Sequence, residues 1–178
     1  MCSSDLSGRR KDLGTLVAPL GRRVFLLPGS RALEQNGELA SAIDRLQRAD
    51  LEVLRLETIT REPTVADVDR TVAEIRGHNP QQTDVLLALG GGSAIDLAKA
   101  AAAVVAHPEA EGVSCFLEGV PHKRDITREV LPLVAVPTTA GTGSEATRNG
   151  VVSSPEQRAK RSIRSERLLP RLVVVDPE

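Results

Sequence analysis

At 178 residues, with 40% hydrophobic and 26% charged side chains, the chain has the make-up of one soluble globular domain with a real core. A formal net charge of −1 argues against nucleic acid or an anionic membrane as a partner, and two Phe with no Trp or Tyr leave no platform for stacking bases. Cys2 and Cys115 form no metal or redox spacing, and no apolar run approaches the ~20 residues that span a bilayer, so a cytoplasmic protein is expected.

The first six residues, MCSSDL, fit no element and match the translation of a widely used sequencing adapter read from a GTG start. They are set apart from the fold as an adapter remnant or a disordered N-terminus, leaving residues 7–178 as one domain. Arg9-Arg10-Lys11 ahead of LGTLVAPL has the outline of a secretory leader. The stretch is short, however, holds Pro19, and runs into Gly21-Arg22-Arg23 instead of a cleavage site.

RVFLL (23–27) reads as a strand ended by Pro28-Gly29-Ser30. Leu39, Ile43 and Leu46 predict a helix from about Leu33 to Ala49, and LEVLRL (51–56) reads as the next strand. Thr64 with Asp67 forms a capping-box pattern ahead of Val65, Val68, Val72 and Ile75, and Gly77-His78-Asn79-Pro80 stops that helix. VLLAL (85–89) has no polar face, as expected of a strand covered on both sides. Beyond Ser93, the residues Ile95, Ala98, Ala102 and Val105 form an apolar helical stripe that ends at His107-Pro108. Residues 109–130 read as a loop with a short helix, and LPLVAV (131–136) and RLVVVD (171–176) as two further strands. This alternation predicts an α/β fold, a Rossmann-like doubly wound parallel sheet with flanking helices.

Chemistry concentrates in two loops. In Gly90-Gly91-Gly92-Ser93 no Cβ keeps a ligand from the backbone N–H groups, and the following helix directs its positive end at the same place. That combination suits a phosphate or pyrophosphate. A tight turn with Ser93 and Asp96 as helix caps would use the same residues. Neither the dinucleotide fingerprint, which wants a third glycine where Ile95 stands, nor the Walker lysine spacing is met. PTTAGTGSEAT (137–147) follows a strand and offers hydroxyls at Thr138, Thr139, Thr142, Ser144 and Thr147; a self-capping polar loop is its plainer reading. Ala146 stands where a nucleophile elbow needs its second glycine. In a parallel sheet both loops share the carboxyl rim, where ligands bind.

LGGGSAIDLAKA and AVPTTAGTGSEAT together resemble the two signature segments of the iron-dependent, or group III, alcohol dehydrogenases, and the likeness runs from about Gly8 to Glu178. The resemblance implies that residues 7–178 are an NAD(P)-binding domain. It implies that Gly91, Gly92 and Ser93 hold the cofactor pyrophosphate with Asp96 beside the turn. It further implies that Thr138, Thr139, Thr142 and Ser144 surround the adenosine and nicotinamide halves, and that Lys160 lies near the nicotinamide ribose. From the residues alone Lys160 is a solvated loop cation, and Lys99 is expected to be salt-bridged or solvated. Gly29 falls where many members of that family carry an aspartate for the ribose 2′-hydroxyl, so NADPH is expected to be tolerated beside NADH, with Ser30 and Arg31 available to a 2′-phosphate.

The family's C-terminal all-helical domain, whose aspartate and three histidines hold iron or zinc, is expected beyond Glu178. His78, His107 and His122 share no helical face, and His78 and His107 stand at helix ends as C-terminal caps or solvent-exposed groups. No metal site and no catalytic residue is therefore expected in this chain. The parent enzyme is expected to be a homo-oligomer acting on a small alcohol or aldehyde, with the fragment inactive and exposing apolar surface. Two other readings stay open. One is a different reductase of the superfamily, such as a maleylacetate reductase or a hydroxyacid–oxoacid transhydrogenase; the other is a non-catalytic nucleotide-binding module.

Overall fold

The computed structural model describes residues 2–5, 7–155 and 158–177. In chain order the elements are β1 (Cys2–Asp5), α1 (Leu13–Val17), β2 (Arg23–Pro28), α2 (Ala32–Gln35), α3 (Glu38–Gln47) and β3 (Glu52–Arg55). Then come α4 (Val65–Gly77), β4 (Asp84–Gly90), α5 (Gly92–Val105), β5 (Leu133–Pro137), β6 (Asn149–Ser154), β7 (Ala159–Arg164) and β8 (Leu172–Val175). Six strands form one parallel sheet in the order β1-β8-β5-β4-β2-β3, while β6 and β7 pair as a separate antiparallel hairpin.

The sheet is covered on both faces, and its strands alternate between the two. Phe25, Leu27, Leu86, Ala88, Leu133 and Ala135 face α4 and α5; Val24, Leu26, Val85, Leu87, Val134 and Val136 face α1 and α3. All seven residues of β4 are buried, which explains a strand with no polar alternation. The connection after β2 leads outward to β3 and the one after β4 leads the opposite way to β5. The crevice between the carboxyl ends of β2 and β4 is therefore the sheet's topological switch point. In α5 the small side chains Ala98, Ala100, Ala101, Ala102 and Ala103 are all buried, so the helix is enclosed on several sides.

Several local readings need correction. The helix expected over 33–49 is broken in two at Asn36-Gly37, where Gly37 takes φ 80°. Helix α5 begins at Gly92 with Gly91 as its N-cap, so Ser93 and Asp96 sit inside the helix and form no capping box. Of LGTLVAPL, LGTLV forms α1, with Leu13 and Val17 buried against α3, and APL continues it as a 3-10 turn. Of MCSSDL, residues 1 and 6 lie outside the described residues, and Cys2–Asp5 adds a strand to the open edge of β8, in parallel register from Cys2–Leu172 to Asp5–Val175. Among the described residues no Leu, Ile, Val or Phe is fully exposed. The core is closed by α1, the 113–117 turn and the hairpin.

Single polar side chains fix the irregular segments. Asp67, 1% exposed, accepts hydrogen bonds from the Thr64 N–H (2.9 Å) and Thr64 hydroxyl (2.7 Å), from Arg70 (2.5 Å) and from Arg61, completing the expected capping box. The Asp176 carboxylate accepts from the N–H groups of Gly8 (3.1 Å) and Arg10 (2.9 Å). His107 is buried against Phe116, donates from Nδ1 to the Ala103 carbonyl (2.8 Å), and accepts at Nε2 from the Thr127 and Arg128 N–H groups (3.2 and 3.3 Å). His107 thus caps the C-terminal end of α5 and pins the long segment that follows.

Burial alone would raise the Asp67 carboxyl, but the bonds from Arg61, Thr64 and Arg70 outweigh it and hold the group well below the usual carboxylate range. Its contribution is therefore whole above the unfolded value of about 4 and is lost as pH falls through the lower folded value. Asp67→Asn is expected to cost about 2 kcal/mol in urea unfolding at neutral pH. The gap between wild type and variant should close on acidification.

Candidate functional site

At the switch point two backbones touch. A Cβ added at Gly29 would lie 2.8 Å from the Ala94 Cβ and 2.9 Å from the Gly90 Cα, and one added at Gly90 would lie 2.7 Å from the Gly29 Cα. The Gly29 N–H donates to the Leu89 carbonyl (2.8 Å) and the Thr138 N–H donates to the Gly90 carbonyl (3.0 Å). The loops after β2, β4 and β5 are knitted together by these bonds into one rim. Glycine at both positions is what permits that closeness.

The rim encloses a cleft of about 590 Å³ lined by Gly29, Ser30, Gly91, Gly92, Ser93, Thr138, Thr139 and Thr142, together with Leu33, Asn36 and Thr60. A second cleft of about 740 Å³ adjoins it, sharing Leu33, Asn36, Thr138 and Thr139 and running on past Pro137, Glu145 and Asp176. Together they make a long groove across the carboxyl edge of the sheet. The first turn of α5 carries no side-chain cap, so its leading N–H groups open on the cleft with the positive end of the helix behind them. A Cβ at Gly91 would lie 2.9 Å from the Thr139 Oγ1, and one at Gly92 would lie 3.1 Å from the Thr142 Cβ and 3.2 Å from the Ser144 Oγ. Glycine turn and hydroxyl loop thus face each other across a gap only a backbone can line. A group bound by main-chain N–H and short hydroxyls, as a pyrophosphate is, fits that cradle.

Of the residues singled out in the sequence, Gly29, Gly91, Gly92, Ser93, Thr138, Thr139 and Thr142 are brought into one cleft. Ser144 stands at its edge beside Gly92. Asp96 sits inside α5 and forms no cap; burial pushes its carboxyl up, against the opposing influence of the Val151 N–H, the Ser144 hydroxyl and Lys99. Lys160 lies on β7, exposed, paired with Glu62 (2.7 Å) rather than lining the cleft. Ser30 uses its Oγ to accept from the Ala32 N–H (3.1 Å), and Arg31 beside it is exposed. Lys99, expected to be salt-bridged or solvated, is buried and donates to main-chain carbonyls of the 144–149 stretch. Asn36 and Thr60 went unread because no spacing links them to either loop, and Glu145, inside the threonine loop, because only that loop's hydroxyls drew notice. Among the described residues no group of three or more His, Cys, Asp or Glu could hold a metal ion, and no helix is long and apolar enough to cross a membrane.

A parallel sheet with a glycine turn and a hydroxyl loop at its switch point defines a Rossmann-like α/β domain. The model of the iron-containing alcohol dehydrogenases matches residues 6–177, and the chain belongs to that family. It is 35% identical over 170 residues to a mitochondrial hydroxyacid-oxoacid transhydrogenase of Caenorhabditis elegans, covering 93% of this chain and 35% of that protein. Among solved structures it is similar to an archaeal halo-thermophilic alcohol dehydrogenase from a Red Sea brine pool, with a TM-score of 0.89 and 32% identity over 98% of this chain and 43% of that one. It is also similar to the sulfoacetaldehyde reductase of Bifidobacterium kashiwanohense in complex with NAD+, with a TM-score of 0.80 and 27% identity over 99% of this chain and 44% of that one. The chain thus spans less than half the length of these relatives.

The Gly29–Gly90 contact predicts that Gly29→Ala overpacks the crevice and lowers stability by about 1–3 kcal/mol in chemical denaturation. The same change at exposed Gly77, where a Cβ meets nothing within 4 Å, is expected to be neutral or stabilising.

Proposed function

We propose that residues 7–178 are the cofactor-binding half of an NAD(P)-dependent, iron-type alcohol dehydrogenase. In its full-length form that enzyme would interconvert a small alcohol and an aldehyde or ketone. The observation that carries this reading is the switch-point cleft, in which an uncapped helix N-terminus faces a row of hydroxyls across paired glycines. The N–H groups of Gly91, Gly92 and Ser93 would hold the pyrophosphate, with Asp96 beside the turn. Thr138, Thr139, Thr142 and Ser144 would flank the adenosine and nicotinamide halves. Lys160 would reach the nicotinamide ribose by exchanging its partner Glu62 for a ribose hydroxyl. When bound, the nicotinamide supplies the hydride acceptor or donor. The iron or zinc of the family belongs to the remainder of the full-length enzyme, so this chain by itself transfers no hydride. The full-length protein is read as a cytoplasmic homo-oligomer, with neither nucleic acid nor membrane as partner. Residues 1–6 are read as an adapter remnant even though Cys2–Asp5 pairs with β8, and finding their codons in an independently assembled genomic locus would remove that reading.

Cofactor choice follows from Gly29. The crowding that excludes a Cβ there also excludes an aspartate that would repel a 2′-phosphate, and Arg31 is exposed nearby. NADPH is therefore accepted as well as NADH. The 35% identity to a hydroxyacid-oxoacid transhydrogenase favours a second reading, in which the parent enzyme moves hydride between a hydroxy acid and an oxo acid.

Fluorescence titration with NADH and NADPH tests the cofactor reading, and with no Trp or Tyr in the chain the signal is clean. Both nucleotides are expected to bind with affinities within about tenfold of each other, a difference of ~1.4 kcal/mol. Arg31→Ala is expected to weaken NADPH by about tenfold and leave NADH unchanged. Binding of neither nucleotide, by this chain and by the full-length enzyme, would defeat the proposal. Stereospecific exchange of hydride between hydroxy acids and oxo acids without free nucleotide would select the second reading.

A further inference from the structure

Lys99 is 1% exposed, yet among the described residues no carboxylate lies within ion-pair distance of its ammonium. Its donors go to three main-chain carbonyls instead: Ser144 at 2.5 Å, Thr147 at 2.6 Å and Asn149 at 3.0 Å, with the Thr147 hydroxyl at 3.3 Å. An ammonium has three N–H bonds to give, and each finds a carbonyl. Burying a charge is unfavourable, and a well-packed apolar side chain would serve a helix interior at least as well. What the charge adds is the gathering of three carbonyls at one point.

Those carbonyls belong to the stretch leading out of the threonine loop. The Ser144 N–H points at the Thr142 Oγ1 (3.5 Å), and both side chains crowd the position a Cβ on Gly92 would take. One turn earlier on α5, Asp96 lies near the Ser144 hydroxyl and the Val151 N–H, which favour its charged form. The helix that carries the glycine turn therefore meets the facing loop at two successive turns and is bonded to it through Lys99.

We propose that Lys99 is a positioning residue for the cofactor cleft: its ammonium, bonded to the carbonyls of Ser144, Thr147 and Asn149, sets the distance at which Thr139 and Thr142 face the first turn of α5. The inference rests on the dinucleotide reading of the cleft. Lys99 touches no part of the groove itself; it acts through the loop it holds.

Burial draws the Lys99 ammonium down to about 8, opposed by the charges of Asp96 on its own helix and Glu145 on the facing loop. Asp96 in turn faces Glu62. A neutral amine has two N–H bonds for three carbonyls, so the clamp loosens as pH rises through about 8. Stability moves the other way. An unfolded lysine keeps its proton to about 10.4, so between about 8 and 10 the unfolded chain binds more protons and this group's contribution to stability rises with pH. A merely structural lysine would not weaken cofactor binding over the interval in which it stabilises the fold.

The test titrates wild type and Lys99→Met with NADH from pH about 7 to about 9.5, with thermal unfolding followed alongside. At pH 7 the variant is expected to bind about tenfold more weakly. Wild-type affinity should fall toward that of the variant as pH passes about 8, while the variant's affinity stays level. Equal affinity at pH 7 overturns the proposal. So does the same slope in both proteins, because Asp96, Glu145 and Glu62 remain in the variant and would then own it. If Lys99→Met does not fold, the wild-type profile decides, and a level profile overturns the proposal. If wild type binds neither NADH nor NADPH, the dinucleotide reading fails separately. The clamp is then judged by hydrogen exchange of amides 144–151 in wild type, corrected for intrinsic rate: protection lost above pH about 8 supports it, and unchanged protection overturns it.

Discussion

Everything at the rim of this domain follows from two backbones in contact at the ends of β2 and β4. These strands are neighbours buried on both faces, so their carboxyl ends are held at ladder spacing by the core and cannot separate. Their onward connections diverge, which opens a crevice where the chain can least move. With Gly29 and Gly90 there, main chain and the Ala94 methyl are the nearest neighbours at the junction. The next backbone bond, from Thr138 to Gly90, brings in the loop after β5. Three loops with little regular structure are thus placed by hydrogen bonds continuous with the sheet, and the dipole of α5 arrives among them already aimed.

Outside the sheet the protein uses one buried polar side chain per irregular segment. Asp67 holds the 61–64 corner, His107 the segment beyond α5, Asp176 the turn at 8–10 and Lys99 the exit of the threonine loop. In each case main-chain N–H or C=O groups that would otherwise be orphaned are gathered on one side chain. None of the four lies in a run of charge, and three of them join residues more than 20 positions apart. A segment too short of hydrophobics to bury itself is fixed in this way without lengthening the core.

The sheet was the legible part. Its strands are continuous apolar runs, a pattern that parallel strands covered on both faces must have, and the capping box at Thr64 announced α4. The glycine and threonine loops were legible as a pair because both follow such strands. The hairpin was not: AKRSIR has one fully buried residue, Ile163, and gains its order from pairing with β6, which a sequence pattern does not display. Nor was the environment of Lys99. A lysine among alanines reads as a solvated helix position, and what buries it arrives from 45 to 50 residues downstream. Ser93 looked like a cap because serine prefers that place; the glycines ahead of it let the helix begin earlier. Lys160 was read in a loop and stands on a strand, which gives it a fixed partner in Glu62.

The run of buried alanines in α5 has a consequence beyond tight packing. Helix diameter and sheet spacing are fixed, so the side chains between them act as shims, and methyl groups are the thinnest available. Because the same helix ends in the glycine turn, its height above the sheet is also the height of the turn above the groove. Core volume in this layer and the geometry of the ligand seat are thus one dimension, measured at opposite ends of a rigid rod.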